Sequence, residues 1–280
     1  MKEILQLQER LELLNARDAC HDSFMEYIRY IWPSFIEGEH HRLIADKLTR
    51  VAKGELRRLI VNMPPRHTKS EFASIYFPSW MMGLKPDLKI MQTTHTADLS
   101  INFGRKVRNL MDTDEYKNIF PEASLAADSK SAGKWQTGGG GEYFAAGVGG
   151  AIAGRGADLL IIDDPHSEQD AMSLPLLDSC YEWYTSGPRQ RLQPGGTIVI
   201  VMTRWSTADL TGRLLNRQTE NNADQWEVVE LPAIFEDSDN VLWPEFWKRE
   251  ELDAVKASIP VSKWNAQYQQ NPTSEEGAII

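Results

Sequence analysis

The sequence predicts an α/β fold, a mainly parallel sheet flanked by helices. Two observations lead there. Short, β-branched runs at Arg58–Met63, Leu88–Thr93, Leu159–Asp163, Thr197–Met202 and Trp226–Leu231 have the length and composition of strands buried on both faces. Between them lie stretches of helical periodicity, such as 97–111, where Leu99, Phe103, Val107 and Leu110 share one face. Strands alternating with helices build a parallel sheet covered on both sides.

The flanking segments fill in the order. Ile4, Leu7, Leu11 and Leu14 recur at helical spacing, and Phe24, Ile28, Ile31 and Phe35 continue the pattern until Pro33 and Gly38 interrupt it. These read as helices packed on the outside of a core, followed by a third over roughly 40–53 that ends at Gly54. The glycine-rich stretch Gly138–Gly156 predicts a hairpin or a mobile loop. Beyond 232 the chain turns irregular and Trp-rich, with a short helix expected near 244–257. The expected division is N-terminal helices over 1–55, a core over 56–232 and a small lobe over 233–280.

Composition bounds the function. The chain has 280 residues, enough for one large α/β domain with a small lobe, and its 41% apolar and 25% charged content excludes a disordered tail. Cys20 and Cys180 lie far apart without metal-ligand spacing, which predicts reduced thiols and no disulfide framework. No apolar run reaches the roughly 18 residues of a membrane span, and Met1-Lys2-Glu3-Ile4 does not open a signal peptide, so a cytoplasmic location and no membrane are expected. A net charge of −10 does not by itself suggest nucleic acid. It does not exclude it either, because one basic face suffices, and Lys53–Arg58, Arg105–Arg108 and Arg189–Arg191 are local basic clusters. Such clusters are more often solvated surface.

Three strand ends carry chemistry. Met63-Pro64-Pro65-Arg66-His67-Thr68-Lys69-Ser70 follows the first core strand and precedes an apolar helix expected from about Glu71. A phosphate-binding loop needs inward N–H groups, a lysine on the β/γ-phosphates and a hydroxyl on Mg²⁺; Lys69 and Ser70 supply the last two. Met63 and Thr68 stand where the standard pattern has glycine. Leu159-Leu160-Ile161-Ile162-Asp163-Asp164 is a buried strand with two acids at its C-terminal end, where a parallel sheet places its ligand. Asp163 is expected to hold Mg²⁺ and Asp164 to orient or deprotonate the attacking water. Together the two motifs predict a P-loop NTPase. In Thr197–Trp205 a third strand ends in Thr203 and Arg204, the expected γ-phosphate sensor and its neighbour.

Residues 61–71, Val-Asn-Met-Pro-Pro-Arg-His-Thr-Lys-Ser-Glu, resemble the ATPase loop of bacteriophage large terminase subunits. So does 147–165, which runs through Ala-Gly-Arg-Gly-Ala-Asp into Leu-Leu-Ile-Ile-Asp-Asp-Pro. Met202-Thr-Arg-Trp with Asp209-Leu-Thr-Gly-Arg-Leu resembles that family's coupling segment, and Tyr268-Gln-Gln-Asn-Pro272 the close of its motor domain. The likeness extends from about residue 24 to the end. Two departures stand out: Thr68 replaces a common glycine and crowds the loop, and Asp164 replaces a common glutamate that is one methylene longer.

The resemblance implies an ASCE/RecA-like P-loop ATPase core with a small C-terminal lid or linker lobe. It implies ATP and Mg²⁺ as ligands, with ATP contacts from Pro65, Arg66, His67, Thr68, Lys69, Ser70 and Glu71 and metal contacts from Ser70 and Asp163. Asp164, Arg66 and Arg155 become the catalytic candidates, and Thr203 and Arg204 the coupling pair. Arg66 lies inside the loop of its own subunit; Arg155, on a glycine-flanked loop, is a candidate to complete a neighbour's site. Trp32, Phe35 and His41 are candidates for the adenine, while His21, His95 and His166 read as structural. The family's partners are double-stranded DNA, a portal protein and a small terminase subunit. Its setting is the bacterial host cytoplasm, with transient docking on the procapsid portal. A homo-oligomeric ring is expected during packaging and a monomer in isolation. The family's nuclease domain is expected to be absent, since the chain stops at Gly277-Ala-Ile-Ile280. Two other classes stay open: a helicase-like ATPase, which would normally carry two such cores, and a non-catalytic ATP-binding scaffold, which Thr68 and Asp164 keep in view.

Overall fold

The computed structural model describes residues 1–127, 129 and 131–273; the terminal Gly277–Ile280 lies outside the described residues. Helix α1 (Lys2–Asp22) stops at Ser23, whose backbone is extended and whose hydroxyl accepts the Glu26 N–H, capping α2 (Phe24–Ile31). α3 (Glu39–Ala52) begins after Gly38. Ile4, Leu7, Leu11 and Leu14 stay exposed on α1, but α2 does not lie outside the core as expected. Phe24, Tyr27 and Ile28 are fully buried, because Phe24 meets Phe72, Phe77 and Trp80 at ring distances of 5.3–5.7 Å.

After β1 (Arg58–Asn62) and the loop, α4 (Lys69–Glu71) continues through a π-helical turn, Phe72–Tyr76, into α5 (Phe77–Leu84). Next come β2 (Lys89–Thr94), α6 (Ala97–Met111), α7 (Asp114–Ile119), β3 (Lys134–Gln136), β4 (Glu142–Gly147) and β5 (Ala157–Asp163). α8 (Glu168–Ala171), α9 (Leu174–Ser186) and α10 (Pro188–Arg191) lead to β6 (Leu192–Met202), α11 (Leu210–Arg217) and β7 (Glu227–Glu230). The strands form one sheet in the order β3-β4-β2-β5-β6-β1-β7, parallel throughout except for the β3–β4 hairpin. That hairpin occupies the first part of the glycine-rich stretch. Its tip packs so closely that a Cβ on Gly141 would lie 2.6 Å from the Pro86 carbonyl oxygen.

Alternation along the strands divides the core. Leu59, Val61, Leu159, Ile161, Val199 and Val201 face the layer that holds α2, α3 and α5. Ile60, Leu160, Ile162, Ile198 and Ile200 face Tyr184 of α9 and Leu210 and Leu214 of α11.

Residues 233–273 have a small core of their own, Ala233, Ile234, Leu252 and Trp264, with α12 (Arg249–Ser258), α13 (Val261–Lys263) and a π-helical turn Trp264–Tyr268. The helix expected near 244–257 starts later, at Arg249, where the Glu251 carboxylate caps the Lys248 N–H at 2.9 Å.

Candidate active site

Strand pairing brings the three motifs level. Asn62 pairs with Met202 and Asp163 with Val201, so the residues that follow β1, β5 and β6 emerge at one edge of the sheet. The helical run that starts at Lys69 points its N-terminus into the loop from the same edge.

The loop reaches its shape without glycine. Arg66 and Thr68 both lie in the left-handed region, at φ 62° and 66°. For a β-branched residue such a conformation costs of order 1–3 kcal/mol and needs outside support. A directed chain of hydrogen bonds provides it. The Gly38 N–H donates to His41 Nδ1 at 2.9 Å, so the ring proton sits on Nε2, which donates to Thr68 Oγ1 at 2.7 Å. Thr68 Oγ1 in turn donates to the His67 carbonyl at 2.6 Å. His67 Nδ1 bonds the Pro65 carbonyl at 2.8 Å and its ring stacks on Trp247 at 5.8 Å. The Trp247 indole N–H points at the Arg66 carbonyl, 3.5 Å away. Burial foremost, with the Lys69 ammonium adding to it, lowers His67 to about 4, and burial takes His41 well below the usual imidazole range. Both rings are neutral.

Inside the loop the charges converge. Lys69 is 8% exposed and its Nζ lies 2.9 Å from Asp164 Oδ2. Burial works against its ammonium, but the Asp164 and Asp163 carboxylates outweigh it and hold the pKa above the ordinary lysine value. Asp163, at the end of β5, is 1% exposed and accepts from Ser70 Oγ at 3.0 Å and Ser74 Oγ at 2.6 Å. Burial raises its pKa, and Asp164 beside it adds to the effect. Ser74 also accepts from Gln92 Nε2 at 3.0 Å, tying β2 into the network. Asp164, at φ 41°, takes the Thr203 N–H at 2.8 Å on Oδ1, and its carbonyl lies 3.3 Å from the His95 amide nitrogen. Ser74 escaped the sequence reading, although it stands one helical turn after Ser70. His41 carried no sequence signal for its contact with Thr68.

The donors at Ser70 and Asp163 are hard oxygens facing one another across 3.0 Å, a set that suits Mg²⁺. Glu71 is half-buried beside the lysine and adds to the field that favours its ammonium.

Thr203 and Arg204 divide two tasks. Thr203 Oγ1 reaches the Met63 carbonyl at 3.4 Å, linking the end of β6 to the phosphate loop. The Arg204 side chain is engaged with two carboxylates. Its Nε lies 3.0 and 3.2 Å from the two carboxylate oxygens of buried Asp209, and a second nitrogen lies 3.2 Å from Glu230 Oε1 at the end of β7. Its backbone N–H donates to Gln270 Oε1, which joins the site to the C-terminal segment.

The two arginine candidates are apart. Arg66 is exposed on the loop itself. Arg155 lies before β5, at the end of the sheet opposite Asp163; the seven residues of β5 span roughly 20 Å. It pairs with Glu142 Oε1 at 2.7 Å and lies 4.0 Å over the Phe144 ring, so it cannot serve its own subunit's loop.

Of the adenine candidates, Trp32 stacks on Tyr76 and Phe35 packs against Phe72, behind the loop. His41 is fully buried with both ring nitrogens engaged. A cavity of about 690 Å³ opens instead beside His40, between α3 and the C-terminal segment, lined by Leu43, Phe235, Val241, Leu242 and Pro244 among others. His40 is buried, 6.2 Å from the His67 ring and close to the Leu242 and His67 backbone.

No protein-family model matches the sequence, and no curated protein matches it. Solved structures do. A variant of the ATPase domain of a Thermus phage large terminase aligns over 81% of this chain and 93% of its own, with a TM-score of 0.51 and 14% identity. The large terminase of bacteriophage HK97 aligns over 85% of this chain at a TM-score of 0.51 and 12% identity, and this chain spans about half its length. Identity that low speaks for the fold: this chain folds as the ATPase domains of phage large terminases do.

Proposed function

We propose that this chain is the ATP-hydrolysing motor domain of a phage large terminase, coupling hydrolysis to movement of double-stranded DNA into a procapsid. One observation carries the reading: Lys69, Ser70, Asp163 and Asp164, from two separate motifs, meet within hydrogen-bonding distance at the C-terminal edge of a parallel sheet. Fold similarity to terminase ATPase domains narrows the class of ATPase.

In this reading the N–H groups around the start of the helical run and the Lys69 ammonium bind the β- and γ-phosphates. Ser70 and Asp163 would hold Mg²⁺, which would supply positive charge against the charge that develops on the phosphates. Asp164 orients water for in-line attack, with the Thr203 N–H and Lys69 fixing its carboxylate. The purine enters the cavity beside His40, between α3 and the C-terminal segment. Pro65, Arg66, His67, Thr68 and Glu71 shape the nucleotide's surroundings. Thr203 and Arg204 transmit the state of the loop to β7 and to residues 233–273, read here as a lid or linker lobe. Arg66 serves in cis or Arg155 in trans as the arginine that completes the site. The working assembly is a homo-oligomeric ring on the portal, with a small terminase subunit and DNA, in the host cytoplasm.

The test is Mg²⁺-dependent phosphate release by the purified chain at high protein concentration, with Lys69→Ala as control. Release above the control supports the motor. ATP binding without release favours a non-catalytic scaffold, which the Asp164 side chain, already engaged by Lys69 and Thr203, keeps in contention.

A further inference from the structure

We propose that His41 is a positioning residue of the phosphate loop, holding Thr68 in its left-handed conformation where a glycine would need no help. The inference rests on reading residues 63–70 as that loop. Three observations meet here. Thr68 is a β-branched residue at φ 66°, in a conformation that L side chains rarely adopt. Its hydroxyl is the middle of a one-way chain, Gly38 N–H to His41 Nδ1, His41 Nε2–H to Thr68 Oγ1, Thr68 O–H to the His67 carbonyl. His41 is wholly buried, wedged between Phe35, Phe72 and Trp243 with ring centroids 4.6–5.2 Å away, so its ring cannot swing to another partner.

The geometry explains why a threonine is tolerated. The hydroxyl accepts one bond and donates the other, and both are satisfied in this rotamer and backbone state. His41, anchored through Gly38 at the start of α3, thus transfers the rigidity of the helical layer to the turn immediately before Lys69. Both of its ring nitrogens are engaged within the protein, so its role is to hold the turn. Without it the loop relaxes toward negative φ at Thr68, and the N–H groups and Lys69 lose their common focus.

The test is a double-mutant cycle on the full chain: wild type, His41→Ala, Thr68→Gly and the two combined, with His41→Gln as the conservative variant. In the wild-type background His41→Ala should weaken binding of Mg²⁺-ATP about tenfold and raise KM more than it lowers kcat; in the T68G background the same change should cost less than about threefold. His41→Gln, whose amide N–H can still donate, should recover part of the loss. An equal loss in both backgrounds would overturn the brace and leave His41 as wall packing. Thermal midpoints without nucleotide repeat the cycle independently of ligand: His41→Ala should lower the midpoint more in wild type than in T68G, and additive shifts count against the proposal. A Lys69→Ala arm separates the two readings. Undiminished ATP binding in that variant defeats the phosphate-loop assignment itself, whereas loss of binding there with additive His41 and Thr68 effects defeats only the brace.

Discussion

Lys69 Nζ lies 2.9 Å from Asp164 Oδ2, so the cation that follows β1 and the acid immediately after β5 form one ion pair across β6. The contact joins two motifs that are remote in sequence, and it gives each partner a defined consequence when removed.

Lys69→Ala should abolish hydrolysis. The variant removes the charge that, under the proposed function, binds the phosphates, and leaves Asp163 and Asp164 as uncompensated neighbours. Loss of such stabilisation costs about 10²–10³-fold in kcat. Steady-state phosphate release is the measurement, and a variant as fast as wild type would show that the lysine has another task.

Asp164→Asn and Asp163→Asn should fail differently. Asparagine at 164 can still accept the Thr203 N–H through its carbonyl, so ATP binding should persist while turnover collapses for want of a proton acceptor. Asparagine at 163 should raise the Mg²⁺ concentration needed for activity. Near-normal kcat in Asp164→Asn would redirect the search to Glu168, since the Asp170 carboxylate is engaged in capping α8.

Stability should fall in mild acid. Burial above all lowers His40 to about 3 and His67 to about 4, from an ordinary 6.5, so both are neutral in the folded chain. Below 6.5 the unfolded chain takes up protons that the folded chain refuses. The stabilisation is therefore complete above that pH and is lost as pH falls toward the folded values, by about 1.4 kcal/mol per pH unit for each histidine. Chemical denaturation between pH 7.5 and 5 should show this slope, and His40→Phe should flatten it; an unchanged slope in the variant would clear His40 of the effect.

Arg155 distinguishes a lone domain from a ring. Because it sits at the far end of the sheet from its own Lys69, any catalytic role must be exercised on a neighbouring subunit. Lys69→Ala and Arg155→Ala chains should each be nearly inactive alone, yet regain activity when mixed, at interfaces where an intact loop meets an intact arginine. Full activity of Arg155→Ala alone, or no rescue despite demonstrated assembly, would return the role to Arg66. For Arg155 to act on a neighbour, its pairing with Glu142 and Phe144 must be broken on assembly, and Glu142→Gln should ease that step.

The sequence by itself determined the parallel strands that carry the motifs and the helices α3 and α6, because β-branched runs and helical periodicity are local properties. It also singled out Lys69, Ser70, Asp163 and Asp164 from their strand–loop–helix context, and the structure brings their side chains into contact. Only the tertiary structure decided that Glu142–Gly147 is a strand. That segment lacks β-branched residues and owes its conformation to pairing with β2 from Lys89 to Thr94. The same holds for the support of Thr68 by His41, the withdrawal of Arg204 into a knot with Asp209, and the distance of Arg155 from its own loop. Each depends on which side chains from remote segments share a space, and a contact of that kind is settled by packing, which no local pattern of residues encodes.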